Sequence, residues 1–147
     1  MASHEIVSMT TTTAIRRIGV IGAGQMGSGI AQVCALAGYD VLLNDVSPER
    51  IKSGLATING NMARQVGAGK MTEAERTAAL ARIAPAAGYD ALAAADLVIE
   101  AAIEDESVKR DILRNASLAL KPQALLATNT SSISITRLAA ATDRPEK

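Results

Sequence analysis

Three glycines in the run Gly22-Ala23-Gly24-Gln25-Met26-Gly27, with Asp45 placed 21 residues after Gly24, form the strongest chemical signal in this chain. Gly22 suits a tight turn, Gly24 lacks the Cβ that would keep a pyrophosphate away from the backbone, and Gly27 lets a following helix pack closely on strands. A helix opened by Gln25 and Met26 would offer free N–H donors and a positive dipole end to phosphates. Asp45 can accept hydrogen bonds from adenosine ribose hydroxyls and would repel a 2′-phosphate, which favours NAD over NADP. The glycines alone also fit a ligand-free turn, and Asp45 alone a solvated strand end. Their combination and spacing carry the cofactor reading.

Elements of the right kind surround these residues. Residues 17–21 (RIGVI) read as a buried parallel strand closing on glycine. The helix that follows places Met26, Ile30, Val33, Cys34 and Ala37 at helical spacing, which predicts its apolar face. Gly38 stops it. A second strand is expected over residues 39–44, then a helix capped by Ser47 with Pro48 at its first position, running to about Gly67. Thr72 and Glu75 have capping-box spacing. A weak strand near residues 83–86 and a short helical stretch from Asp90 precede a strand expected over residues 97–103. Glu104, Asp105 and Glu106 then crowd a helix start. Val108, Ile112, Leu113, Ala116 and Leu120 give that helix its apolar face, and Pro122 ends it. Residues 124–128 form a further strand, Asn129 to Ser132 a polar turn, and Ser134 caps a helix to about Ala141. This alternation predicts a doubly wound, Rossmann-type α/β parallel sheet.

Bulk properties narrow the class. The 147 residues are 48% apolar and 20% charged, with 15 acidic and 15 basic side chains. That balance gives no pull toward nucleic acid or membrane, and no apolar run has the length of a membrane span. A single cysteine, Cys34, excludes an internal disulfide framework and suits a reducing cytoplasm; it reads as a small core residue. The core lacks Phe and Trp, and Tyr39 and Tyr89 are the only aromatics. Residues 1–14 read as a flexible leader and residues 15–147 as the cofactor-binding domain.

Three stretches, VIGAGQMGSGIAQVCALAGYDVLLND, LVIEAAIEDESVKRDIL and TNTSSISI, resemble the 3-hydroxyacyl-CoA dehydrogenase family. The resemblance implies an NAD-dependent oxidoreductase that interconverts (S)-3-hydroxyacyl-CoA and 3-oxoacyl-CoA. It implies that Ala101 and Glu104 line the ribose and nicotinamide side of NAD, that Lys109 contacts the cofactor, and that Ser131 lies near both nicotinamide and substrate oxygen. Asn129 then shapes the same turn, and Asn61 and Lys70 approach the CoA moiety. Each has a plainer reading: Glu104 complements a helix dipole, Ser131 forms a turn, and Lys109 is a solvated helix residue. The resemblance also implies a catalytic histidine, a last strand and a helical dimerisation domain beyond Lys147, so the parent is expected to be a homodimer. The one histidine, His4, falls in the leader, where a general base is badly placed. The chain alone is therefore expected to bind NAD without efficient turnover and to be prone to self-association. The alternatives are a related NAD-linked dehydrogenase of a sugar acid or carnitine, and a non-catalytic NAD(H)-sensing module.

Overall fold

A computed structural model describes residues 14–147, and among them five parallel strands are connected by α-helices and one short 3-10 turn (Asp90–Leu92), with a last helix after the fifth strand. The strands are β1 (Arg17–Ile21), β2 (Asp40–Asn44), β3 (Ile83–Pro85), β4 (Leu97–Glu100) and β5 (Leu125–Thr128), in the order β3-β2-β1-β4-β5. The order reverses between β1 and β4, the switch point at which open parallel sheets bind ligands beyond their carboxyl ends. Register puts Ile21 beside Asn44 and Glu100, and Glu100 beside Thr128. The last residues of four strands therefore stand in one row. The expected leader and His4 lie, apart from Ala14, outside the described residues.

The helices are α1 (Gln25–Leu36), α2 (Pro48–Gly67), α3 (Glu73–Ala81), α4 (Glu106–Ala119) and α5 (Ile135–Ala139). Their starts follow the capping chemistry in the sequence: the Ser47, Thr72 and Ser134 hydroxyls accept from the backbone N–H of Arg50, Glu75 and Arg137. Gly38 ends α1 at φ +101°, its N–H bonded to the Ala35 carbonyl and that of Tyr39 to the Cys34 carbonyl, a Schellman closure. One core lies between the sheet and α1–α3, built on Val20, Val41, Leu43, Ile58 and Met62; the other holds Val98, Leu92, Ala116 and Leu120. No helix among the described residues is long and apolar enough to cross a membrane.

The inward face of α1 differs in part from the expected one. Gly27, Ser28, Ala31, Gln32 and Ala35 are buried, whereas Met26 and Val33 are exposed. Of the expected face, Ile30 and Cys34 pack partly buried against the core, while the close approach at Gly27 gives the innermost line to small residues and turns Met26 and Val33 outward. On α4, Val108 and Ile112 line the cleft described below, Ile112 also packing against the second core, and Lys109 is buried. The strand expected over residues 97–103 ends at Glu100, because Ala101 onward forms the turn into α4.

Candidate cofactor site

The loop between β1 and α1 is shaped by contacts that only glycine permits. Gly22 has φ +112°, and a Cβ there would lie 2.6 Å from the Ala101 carbonyl oxygen. A Cβ on Gly27 would fall 1.6 Å from the Gly22 carbonyl oxygen. These two glycines serve close packing. At Gly24 a Cβ would meet nothing within 4 Å; this residue borders an open cleft. No side chain caps α1, so its first turn, with Gln25 and Met26, keeps donors for an incoming anion.

The cleft, of about 570 Å³, is lined by Gly22, Gly24, Asp45, Tyr89 and Ala101 among others, a size that suits a dinucleotide half buried at the switch point. The Asp45 carboxylate accepts from the backbone N–H of Ala23 at 2.7 Å and of Val46 at 2.6 Å. It is thus fixed at the β2 end while each oxygen retains a lone pair. Asn44, buried beside it, donates from Nδ2 to the carbonyls of Ala86 and Gly88 at 2.7 and 3.0 Å. This clamp holds the wall that carries Tyr89.

Beyond β4 four of the predicted residues gather around a polar chain. Lys109 is 1% exposed and its ammonium donates to Glu100 Oε2 at 2.7 Å and to the Ala102 carbonyl at 3.1 Å. Glu104 Oε1 lies 3.7 Å from the same nitrogen. Lys109 is therefore not a solvated helix residue, and it faces protein oxygens. The Glu104 carboxylate accepts from the Thr130 hydroxyl at 2.8 Å and from the Ser131 N–H at 3.4 Å. The Thr130 hydroxyl bond, with the Ser131 N–H and Lys109 nearby, holds Glu104 below the usual carboxylate range. Asn129 continues the ladder, its N–H bonded to the Glu100 carbonyl. The structure thus brings Glu104, Lys109, Asn129 and Ser131 together at the β4 and β5 ends, across β1 from Asp45.

Asn61 and Lys70 lie elsewhere. They share a groove of about 500 Å³ with Gln32, Arg64 and Gln65 on the outer side of α1 and α2. Sequence reasoning missed Asn44 and Glu100. Glu100 left a readable mark, an acid inside the apolar run LVIEAAI, but its partners come from an adjacent strand and a later helix.

Comparison with known proteins identifies the domain. Residues 17–147 match the family described as "3-hydroxyacyl-CoA dehydrogenase, NAD binding domain". A 3-hydroxybutyryl-CoA dehydrogenase of Bradyrhizobium diazoefficiens is 63% identical over 90% of this chain and 45% of its own length. Another from Mycobacterium tuberculosis is 45% identical over 91% of this chain and 47% of its own. The crystal structure of (S)-3-hydroxybutyryl-CoA dehydrogenase from Ralstonia eutropha superposes with a TM-score of 0.87 at 45% identity, over 90% of this chain and 47% of that one. The chain spans about half the length of the curated relatives it matches. With its cleft, its Asp45 and this match, the chain belongs to the 3-hydroxyacyl-CoA dehydrogenase family, as that family's NAD-binding domain.

Proposed function

We propose that this chain is the cofactor half of an oxidoreductase that interconverts (S)-3-hydroxyacyl-CoA and 3-oxoacyl-CoA. The observation that carries the reading is the placement of two polar clusters on either side of one loop: Asp45 on the β2 side, and Glu104 with Ser131 on the β5 side. NAD, when bound, supplies the hydride acceptor. Asp45 takes the adenosine ribose hydroxyls, and the first turn of α1 with Gly24, Gln25 and Met26 takes the pyrophosphate. Ala101 and Glu104 border the second ribose, and Lys109, buried behind them, supports Glu104. Ser131 offers its exposed hydroxyl to the substrate's 3-oxygen, and Asn129 sets the turn that presents it. Asn61 and Lys70, with Arg64 beside them, form a cationic groove suited to the phosphates of CoA. These site assignments rest on position, chemistry and relatedness together.

We assign no general base among the described residues. Among the described residues there is no histidine, and removal of a general base costs about 10²–10⁴-fold in rate. The experiment pairs NADH titration by calorimetry with acetoacetyl-CoA turnover. The 147-residue chain is expected to bind NADH yet reduce acetoacetyl-CoA at least about 10²-fold more slowly than a full-length relative. Turnover at the relative's rate would place a base within this chain and reject the division of labour.

A further inference from the structure

Glu100 has no solvent exposure, and each of its carboxylate oxygens is engaged. Oε2 accepts from the Lys109 ammonium at 2.7 Å and from the Ala102 N–H at 2.6 Å. Oε1 accepts from the Thr128 hydroxyl at 2.6 Å. The register explains the last bond, because Glu100 and Thr128 are Cα partners on β4 and β5. Three segments thus meet at one carboxylate: the 101–102 turn, helix α4 through Lys109, and the end of β5 from which the 129–132 turn departs.

A dinucleotide crosses an open parallel sheet at its switch point. With its adenosine ribose at Asp45 and its pyrophosphate at the loop over β1, its second nucleoside must lie over the β4 and β5 ends. Those are the two ends that Glu100 joins. We propose that Glu100 is a positioning residue for the nicotinamide half of NAD: it fixes Lys109 and Thr128, and through them sets the separation between Glu104 and the 129–132 turn. The inference rests on the cofactor cleft and deepens it.

Charge explains why a neutral group would not serve. A buried ammonium requires an opposite charge. With Glu100 neutralised, the nearest remaining carboxylate is Glu104, 3.7 Å from the Lys109 nitrogen. Lys109 would then draw Glu104 from Thr130 and the Ser131 N–H, and the turn would lose its tie. The Asp45 side, more than one strand away, would keep its bonds to Ala23 and Val46.

The test compares NADH with ADP, which carries the adenosine and diphosphate but no nicotinamide, by calorimetry on the intact chain. Glu100→Gln is expected to weaken NADH roughly tenfold while ADP stays within about twofold, the loss of one charge-assisted interaction at one end. Thr128→Val, which removes a single hydroxyl and keeps the ion pair, should weaken NADH by about threefold with ADP unchanged. Should Glu100→Gln lose both ligands through misfolding, Thr128→Val decides. An unchanged NADH to ADP ratio in Thr128→Val, or equal losses of both ligands, would overturn the positioning role. Failure of the unsubstituted chain to bind either ligand would overturn the cofactor assignment and this inference with it; binding without a selective loss overturns this inference alone.

Discussion

At the scale of single residues, the Asp45 carboxylate is held by the Ala23 and Val46 N–H groups before any ribose arrives. Its charge therefore sits at a fixed point, and a 2′-phosphate brought there meets like charge in a half-enclosed cleft. NADH is expected to bind at least tenfold more tightly than NADPH, roughly the value of one such charge-assisted contact. Asp45→Ala should narrow that gap in parallel calorimetric titrations; an NADPH preference in the unsubstituted chain would remove Asp45 from the ribose. Asp45 and the three glycines were legible because their spacing is set by consecutive elements of fixed length, a strand, a turn and a helix. Glu100 and Asn44 were not, since each acts on groups that are distant in sequence. The same limit applied to Lys109, whose burial depends on Glu100 lying beneath it. A reading that treats each charge by its own helix position leaves such a lysine in solvent.

At the scale of elements, two polar staples hold the sheet's other end and the helix beyond it. Asp96, just before β4, accepts from the Arg16 and Arg17 N–H groups at 2.8 and 3.0 Å and pairs with Lys121. The Lys121 ammonium and these two N–H groups hold its carboxyl at about 2. Because the folded value lies below the unfolded one of about 3.9, the staple is fully formed above about pH 4 and is lost as pH falls toward 2. Asp96→Asn should cost roughly 1–2 kcal/mol in urea unfolding at pH 7, with the difference shrinking at low pH; a constant difference would show that the ionised form is not what matters. Helix α4 has no basic residue in its last turn, and Arg144 supplies one from downstream. Its buried guanidinium donates to the carbonyls of Ser117, Leu120, Lys121 and Ala124 at 2.6–3.3 Å. Arg144→Ala strips the donor from these oxygens and should lower stability by about 3 kcal/mol, read as a drop in Tm; an unchanged Tm would mean that water replaces it at no cost. The strand and helix order was legible from periodicity and caps. The inward face of α1 was legible only at Ile30 and Cys34, because periodicity marks where large apolar residues lie, whereas the innermost line of this interface selects small ones.

At the scale of the whole molecule, β5 forms one edge of the sheet. No further strand pairs with this edge among the described residues. Instead the Leu126 N–H is bonded to the Lys147 carbonyl at 3.0 Å, held in place by the Arg144 clamp three residues earlier. Leu138 is buried, while Ile135 is 64% and Leu125 39% exposed. Ile135 and Leu125 leave apolar area uncovered beside this edge. If contact between two copies buries about 200 Å² of it, the gain is roughly 5 kcal/mol, before the cost of association. The remaining backbone groups of β5 add a template for pairing with another strand. These terms predict weak self-association through the β5 edge, visible at high concentration and absent in dilute solution. Light scattering over a concentration series should show a rising apparent mass. Ile135→Lys, which places charge beside the edge without entering the cofactor cleft, should suppress that rise while leaving NADH affinity unchanged. A mass that stays monomeric at all concentrations would show that Lys147 and Arg144 already protect the edge, and an Ile135→Lys chain that associates as readily as the unsubstituted one would move the contact to another face.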